Sequence, residues 1–176
     1  MELKVIVSDI MQLIQEAMRD QIDAQGHRLS GKLSDSITFS VSENESDVTG
    51  QMFIEDYGVY VEVGVSADRV PYGKGGGKPG GTSQYIQGLI NFWEQKGLSG
   101  REAVGAAFAT AKVHAREGMP SRASYAYSQS GKRTGFIKEA VNDKMQEIQD
   151  KLSARYGTEL ILQFGEAFKN EKIRIA

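Results

Sequence analysis

Two hydrophobic periods occupy the first third of the chain, and their order constrains the fold more than any other feature. Ile6, Ile10, Leu13, Ile14, Ala17, Met18 and Ile22 recur every three or four positions, which places them on one stripe of an amphipathic helix. From Ser36 to Ser42, Ile37, Phe39 and Val41 alternate with polar residues. From Val48 to Ile54, Val48, Met52 and Ile54 fall on one face with Gly50 between them. A period of two belongs to extended strands. The intervening Glu43-Asn44-Glu45-Ser46-Asp47 is polar and rich in turn formers, so the pair reads as an antiparallel hairpin placed after a helix. Ser8-Asp9 is a candidate N-cap for that helix, with Leu3 to Val7 as an extended lead-in, and Gly26 supplies a stop.

The rest of the chain is mainly helical in pattern. Val59 to Val65 alternates with period two, but over so few residues the period does not separate a strand from a short helical turn. Residues 64–82 hold Gly73, Gly75, Gly76, Gly77, Gly80, Gly81, Pro71 and Pro79 and read as a flexible loop. An inserted helical region is expected over residues 83–117. Ser83 caps a helix with Tyr85, Ile86, Leu89, Ile90 and Trp93 inward, ending at Gly97. Ser99-Gly100-Arg101-Glu102 has the form of a capping box, opening a helix to about Glu117 whose expected buried stripe is Val104, Ala107, Phe108, Ala111 and Ala115. Gly118 and Pro120 end it. After a polar loop over 118–134, Thr134 is the expected cap of a last helix bearing Phe136, Ile137, Ala140, Val141, Met145, Ile148 and Leu152, closed by Tyr156-Gly157. Glu159 to Phe164 and Lys172 to Ile175 are β-prone runs, read as sheet strands or a docking arm.

A chain of 176 residues reads as one domain over 1–176, able to bury roughly 70% of its unfolded surface without staples. It has no cysteine, which excludes disulfides, thiol nucleophiles and thiolate metal sites. The first residues lack the basic-then-apolar order of a secretory leader, and no apolar run is long enough for a membrane span; cytoplasmic synthesis and no membrane partner are expected. Charge is segregated. Residues 43–56 carry Glu43, Glu45, Asp47, Glu55 and Asp56 with no Lys or Arg, whereas residues 112–138 set Lys112, Arg116, Arg122, Lys132, Arg133 and Lys138 against Glu117 alone. Opposite-signed segments on one chain suit head-to-tail self-association.

Chemistry is poorly advertised. Gly75-Gly76-Gly77-Lys78-Pro79-Gly80 has the letters of a dinucleotide fingerprint without the strand-turn-helix context, and no Ser or Thr follows Lys78 as a Walker loop requires. His27 and His114 have no carboxylate at metal-ligand spacing, and surface or capping roles are expected for both. No carboxylate pair stands out for acid–base work. Neither an enzyme nor a cofactor is expected. Arg69, Lys74 and Lys78 suit a docking loop or nonspecific phosphate contacts. Glu62, between Val61 and Val63, is expected to have a basic or backbone partner.

Gly31-Lys32-Leu33-Ser34-Asp35-Ser36-Ile37, followed one hairpin later by Tyr57-Gly58-Val59-Tyr60-Val61-Glu62-Val63-Gly64, resembles the tail-completion (neck) protein family of tailed bacteriophages. Gly118-Met119 and Thr134-Gly135-Phe136-Ile137-Lys138-Glu139-Ala140 resemble the family's approach to its C-terminal helix. Val65 stands where Thr is often found, and residues 66–117 exceed the equivalent region of smaller members. The resemblance implies an α+β fold in which a small antiparallel sheet packs against an N-terminal and a long C-terminal helix. It also makes the Tyr57–Gly64 segment a short helical turn. The implied role is structural, in a ring, by family analogy a hexamer, between the head connector and the tail, with DNA passing through. Leu33, Ser36, Ile37, Tyr57, Tyr60, Glu62 and Gly64 would then lie at a subunit or partner interface. Partners would be other copies, portal-associated or connector proteins, tail-terminator or tail-tube proteins and, transiently, DNA. The location would be the virion neck, after assembly in the host cytoplasm. The alternatives are a tail terminator or other connector subunit, or a nonspecific DNA-binding module using the glycine loop and the basic 112–138 segment.

Overall fold

The helical stripe and the alternating segment fold as their periods require, giving an α+β architecture. A computed structural model describes residues 3–45, 47–73 and 83–156. In order they form helix α1 (Leu3–Ala24), a short helix α2 (Lys32–Ser36), strands β1 (Thr38–Glu43) and β2 (Val48–Phe53), and a short helix α3 (Gly58–Val63). A 3-10 turn (Ala67–Arg69), helices α4 (Gln84–Gln95) and α5 (Gly100–Glu117), a second 3-10 segment (Arg122–Tyr127) and helix α6 (Phe136–Tyr156) follow. The described residues form two compact units, each assembled from distant segments: those within 3–21, 34–55 and 137–156 in one, and those within 22–33 and 56–136 in the other.

In the first unit, α1 buries Ile6, Val7, Ile10, Ile14, Ala17 and Met18. It starts at Leu3, so Leu3 to Val7 is not an extended lead-in and Ser8 is not a cap. Burying Ile6 and Val7 contributes about 1.5–3 kcal/mol each, which outweighs the roughly 1 kcal/mol a serine cap supplies. β1 and β2 pair antiparallel from Thr38↔Phe53 to Glu43↔Val48, with Phe39, Val41, Val48, Gly50 and Met52 half-buried and the alternate residues exposed. A lone hairpin is marginal in water. This one is backed by α1, whose Met11 and Val7 lie so near Gly50 that a β-carbon there would stand 2.6 Å from the Met11 Sδ. On α6, Ala140, Ile148 and Leu152 are buried, and Gln21 of α1 donates to Asp143 of α6 at 2.7 Å.

In the second unit, α1 ends as expected at Gly26, where Gly26 N–H donates to the Asp23 carbonyl and His27 N–H to that of Ile22, both at 2.9 Å, the paired bonds of a Schellman stop. α4 is capped by Ser83, whose Oγ accepts from Ile86 N–H at 3.2 Å. It packs on α5 through Ile86 and Ile90 against Ala103, Ala107 and Ala111. Trp93 Nε1 donates to Thr110 Oγ1 across the pair at 3.0 Å.

One expectation about α5 fails and another holds only in part. Ser99 makes no side-chain cap bond; Gly100 turns the backbone at φ 51°, and Ser99 contributes its carbonyl to Glu102 N–H instead. Of the expected stripe Ala107 and Ala111 are buried, joined by Ala103, while Val104 and Phe108 are 39% and 40% exposed. Alanines four apart let α4 approach more closely than a valine–phenylalanine stripe would. Residues 64–73 are also not a loose loop, because Val65 bridges Met119 and Val70 is fully buried. Gly135, not Thr134, immediately precedes α6. The glycine-dense remainder at 74–82, the stop at Gly157 and the two β-prone runs lie outside the described residues.

Candidate functional site

The Gly31–Ile37 segment works inward. Leu33 and Ile37 are 4% and 0% exposed, so they hold the fold and present no interface in this chain. Ser36 Oγ accepts from Glu55 N–H at 3.2 Å, tying α2 to the end of β2. The Ile37 carbonyl accepts from Gln15 Nε2 at 2.6 Å and Arg19 Nη2 at 3.1 Å, while Arg19 Nε donates to the Ser34 carbonyl at 3.2 Å. The motif is a clasp between α1 and the hairpin.

The Tyr57–Gly64 segment divides its roles. It is helical, with Tyr60 N–H bonded to the Tyr57 carbonyl and Gly64 N–H to that of Tyr60; Val63, which a strand would align with Val59 and Val61, is 67% exposed. The main-chain carbonyl of Glu62 accepts from Gly135 N–H at 2.8 Å at the start of α6. Beyond it, Val65 and Met119 exchange two backbone bonds, each 2.7 Å. A glycine flanks each side of this bridge in nearly the same conformation: Gly64 at φ 75°, ψ −178° and Gly118 at φ 84°, ψ −170°. A β-carbon on Gly64 would stand 2.7 Å from the Met119 carbonyl oxygen, and one on Gly118 2.6 Å from that of Val65. Only glycine fits either place. Two segments 54 positions apart in the sequence, one directly after Gly64 and the other at Gly118-Met119, thus meet at one bridge.

What this segment leaves outward is aromatic. Tyr57 and Tyr60 are 40% and 58% exposed, and with Val63 they follow at intervals of three, which puts them on one side of the helical turn. Sequence reasoning named the tyrosines and missed Val63, although the spacing 57, 60, 63 was the available signal.

The basic residues do not act alike. Lys112, Arg116, Arg122, Lys132 and Lys138 are exposed on α5, the second 3-10 segment, the loop after it and α6. Arg116 is answered by Glu117 at 2.6 Å, whose other oxygen accepts from Arg122 N–H. Arg133 is half-buried and turned inward. Its Nη1 donates to the Gln25 and Gly26 carbonyls at 2.6 and 3.0 Å, capping the negative end of the α1 dipole, so it does not belong to a basic face. Arg69 is exposed, while Lys74 and Lys78 lie outside the described residues.

Both histidines are structural, and neither sits on the surface. His27 Nε2 donates to the Arg133 carbonyl at 3.1 Å. Burial, then the Arg133 charge, lowers its pKa to about 4, against a smaller opposing effect of that hydrogen bond. His114 lies between α4 and α5, its Nδ1 2.8 Å from the Tyr85 hydroxyl. Burial pushes Tyr85 up to about 12 and lowers His114, so the contact joins a neutral phenol to a neutral imidazole. Among the described residues no three His, Asp or Glu side chains gather as metal ligands, and no helix is long and apolar enough to cross a membrane. Compared with protein-family models, curated proteins and solved structures, the chain matches none of them.

Proposed function

We propose that the chain is a structural subunit of a tailed-phage neck, of tail-completion type. Copies assemble into a ring, six-membered by family analogy, that joins the head connector to the tail and lets DNA pass. The observation that carries the reading is the division of labour within the resembling segments. Leu33, Ser36, Ile37, Glu62 and Gly64 are spent on a clasp and a backbone bridge, and Tyr57 and Tyr60 project from that frame with Val63 as an aromatic surface. Aromatic side chains on a rigid support are the usual anchors of protein interfaces, costing about 2 kcal/mol each when truncated. Connector or portal-associated proteins on one side and tail-terminator or tail-tube proteins on the other are the partners this role requires, and the virion neck is its location.

The test uses separated heads and tails from particles lacking this protein. Added wild-type chain restores joined particles. A Tyr57→Ser/Tyr60→Ser double variant, folded with unchanged stability, joins them at least about tenfold less efficiently, since two anchors at about 2 kcal/mol exceed the 1.4 kcal/mol that tenfold requires. Wild-type chain that leaves heads and tails separate while binding free duplex DNA with strong salt dependence would replace the neck reading with a DNA-binding one.

A further inference from the structure

Two surfaces found by the structure have no place in the account so far. The outer side of α5 carries Val104 and Phe108 one turn apart, 39% and 40% exposed, with exposed Arg101 before them and exposed Lys112 after. The outward face of the hairpin is small and polar except for Phe53, which is 50% exposed, and exposed Glu45 lies in the turn at its far end. The spacings match. Phe53 stands about 17 Å from the hairpin tip, at 3.4 Å per residue. Lys112 stands about 12 Å from Val104, at 1.5 Å per residue, and its long stem extends the reach. With Phe53 on Val104, Lys112 lies toward Glu45 in the turn, Phe108 covers the strand surface at Gln51, and Arg101 lies toward Glu55.

We infer that the α5 outer face of one copy receives the outward hairpin face of the next, a heterologous contact that repeats around an assembly. The occupant is a second copy because the chain itself carries the complement in both apolar and charged positions: residues 43–56 hold five acids and no base. Two α5 faces meeting each other would bring like charges together. The inference rests on the ring reading for its closure, since a heterologous contact forms either a ring or an open filament.

The absence of native cysteine makes the test direct. Full-length Phe53→Cys and Val104→Cys chains are mixed at high concentration and treated with a short bis-maleimide, with Gln51→Cys and Phe108→Cys as a second pair at exposed positions. The mixed 53–104 and 51–108 products should predominate over same-site dimers. Lys112→Glu on the α5 partner should suppress them, and Glu45→Lys on the hairpin partner should restore them. Same-site products only, or none, while the wild-type chain still assembles would overturn this contact and leave the ring standing. A wild-type chain that stays monomeric both in solution and on particles would overturn both.

Discussion

Replacing Gly64 or Gly118 by alanine should destabilise the protein far more than a change of one methyl group suggests. Each glycine occupies a region of backbone space essentially closed to other residues, which costs about 1–3 kcal/mol to enforce on an L-residue. Each added β-carbon would also stand under 3 Å from the carbonyl across the bridge. Relieving that clash separates Val65 from Met119 and sacrifices at least one backbone bond, about 1 kcal/mol more. The expected loss is therefore about 2–4 kcal/mol for either variant. Gly131→Ala is the control: its φ is 72° but nothing lies within 4 Å of the added carbon, and about 1 kcal/mol is expected. Since Gly64→Ala and Gly118→Ala break the same bridge, the double variant should cost about 1–2 kcal/mol less than their sum. Urea unfolding followed by circular dichroism, with an unchanged slope, measures all four. A Gly64→Ala protein within 0.5 kcal/mol of wild type, or strict additivity in the double variant, would refute the argument.

Three further outcomes are expected. His27 has a folded pKa of about 4, below its ordinary 6.5, so the unfolded chain binds its proton first as pH falls. Its contribution is complete above pH 6.5 and is lost toward pH 4; the full shift corresponds to about 3 kcal/mol, and solvent screening of this half-buried ring reduces it to about 1–2 kcal/mol. His27→Gln should flatten the stability profile across that window, although His114, also lowered by burial, leaves a residual slope in the same direction; an unchanged profile would dismiss the role of His27. Ser36→Ala should cost about 1 kcal/mol by leaving Glu55 N–H without its hydroxyl acceptor, read as a lower urea midpoint, and no change would mean that the clasp contributes nothing. Arg133→Ala should cost more, about 2–3 kcal/mol, because the carbonyls ending α1 lose a charged donor; thermal melts decide it, and a loss under 0.5 kcal/mol would return Arg133 to the surface.

The parts legible in the sequence were those where one hydrophobic period had no competitor. The Ile6-to-Ile22 stripe and the alternation at Phe39 and Val41 each admit one solution, and α1 and the hairpin follow. α5 offered two apolar stripes, one of alanines at 103, 107 and 111 and one through Val104 and Phe108. The sequence reading mixed the two, taking Val104 and Phe108 together with Ala107 and Ala111, but the close approach of α4 selected the alanines. The Val59–Val65 alternation failed as a strand signal because seven residues fit either period. At the candidate site, Tyr57 and Tyr60 could be named from their residue type. The acceptor for Gly135 N–H at Glu62, the bridge between Val65 and Met119 and the use of Arg133 as a helix cap are backbone partnerships, and no side-chain pattern encodes which distant carbonyl a donor will reach.

The central claim is that this chain is built to assemble with itself. Light scattering of the purified protein, alone and then with particles lacking it, measures this most directly. The account predicts a discrete closed assembly, six chains by family analogy, either in solution or on the particle, with head–tail joining restored. A monomer that ignores the particles and binds free DNA would contradict it.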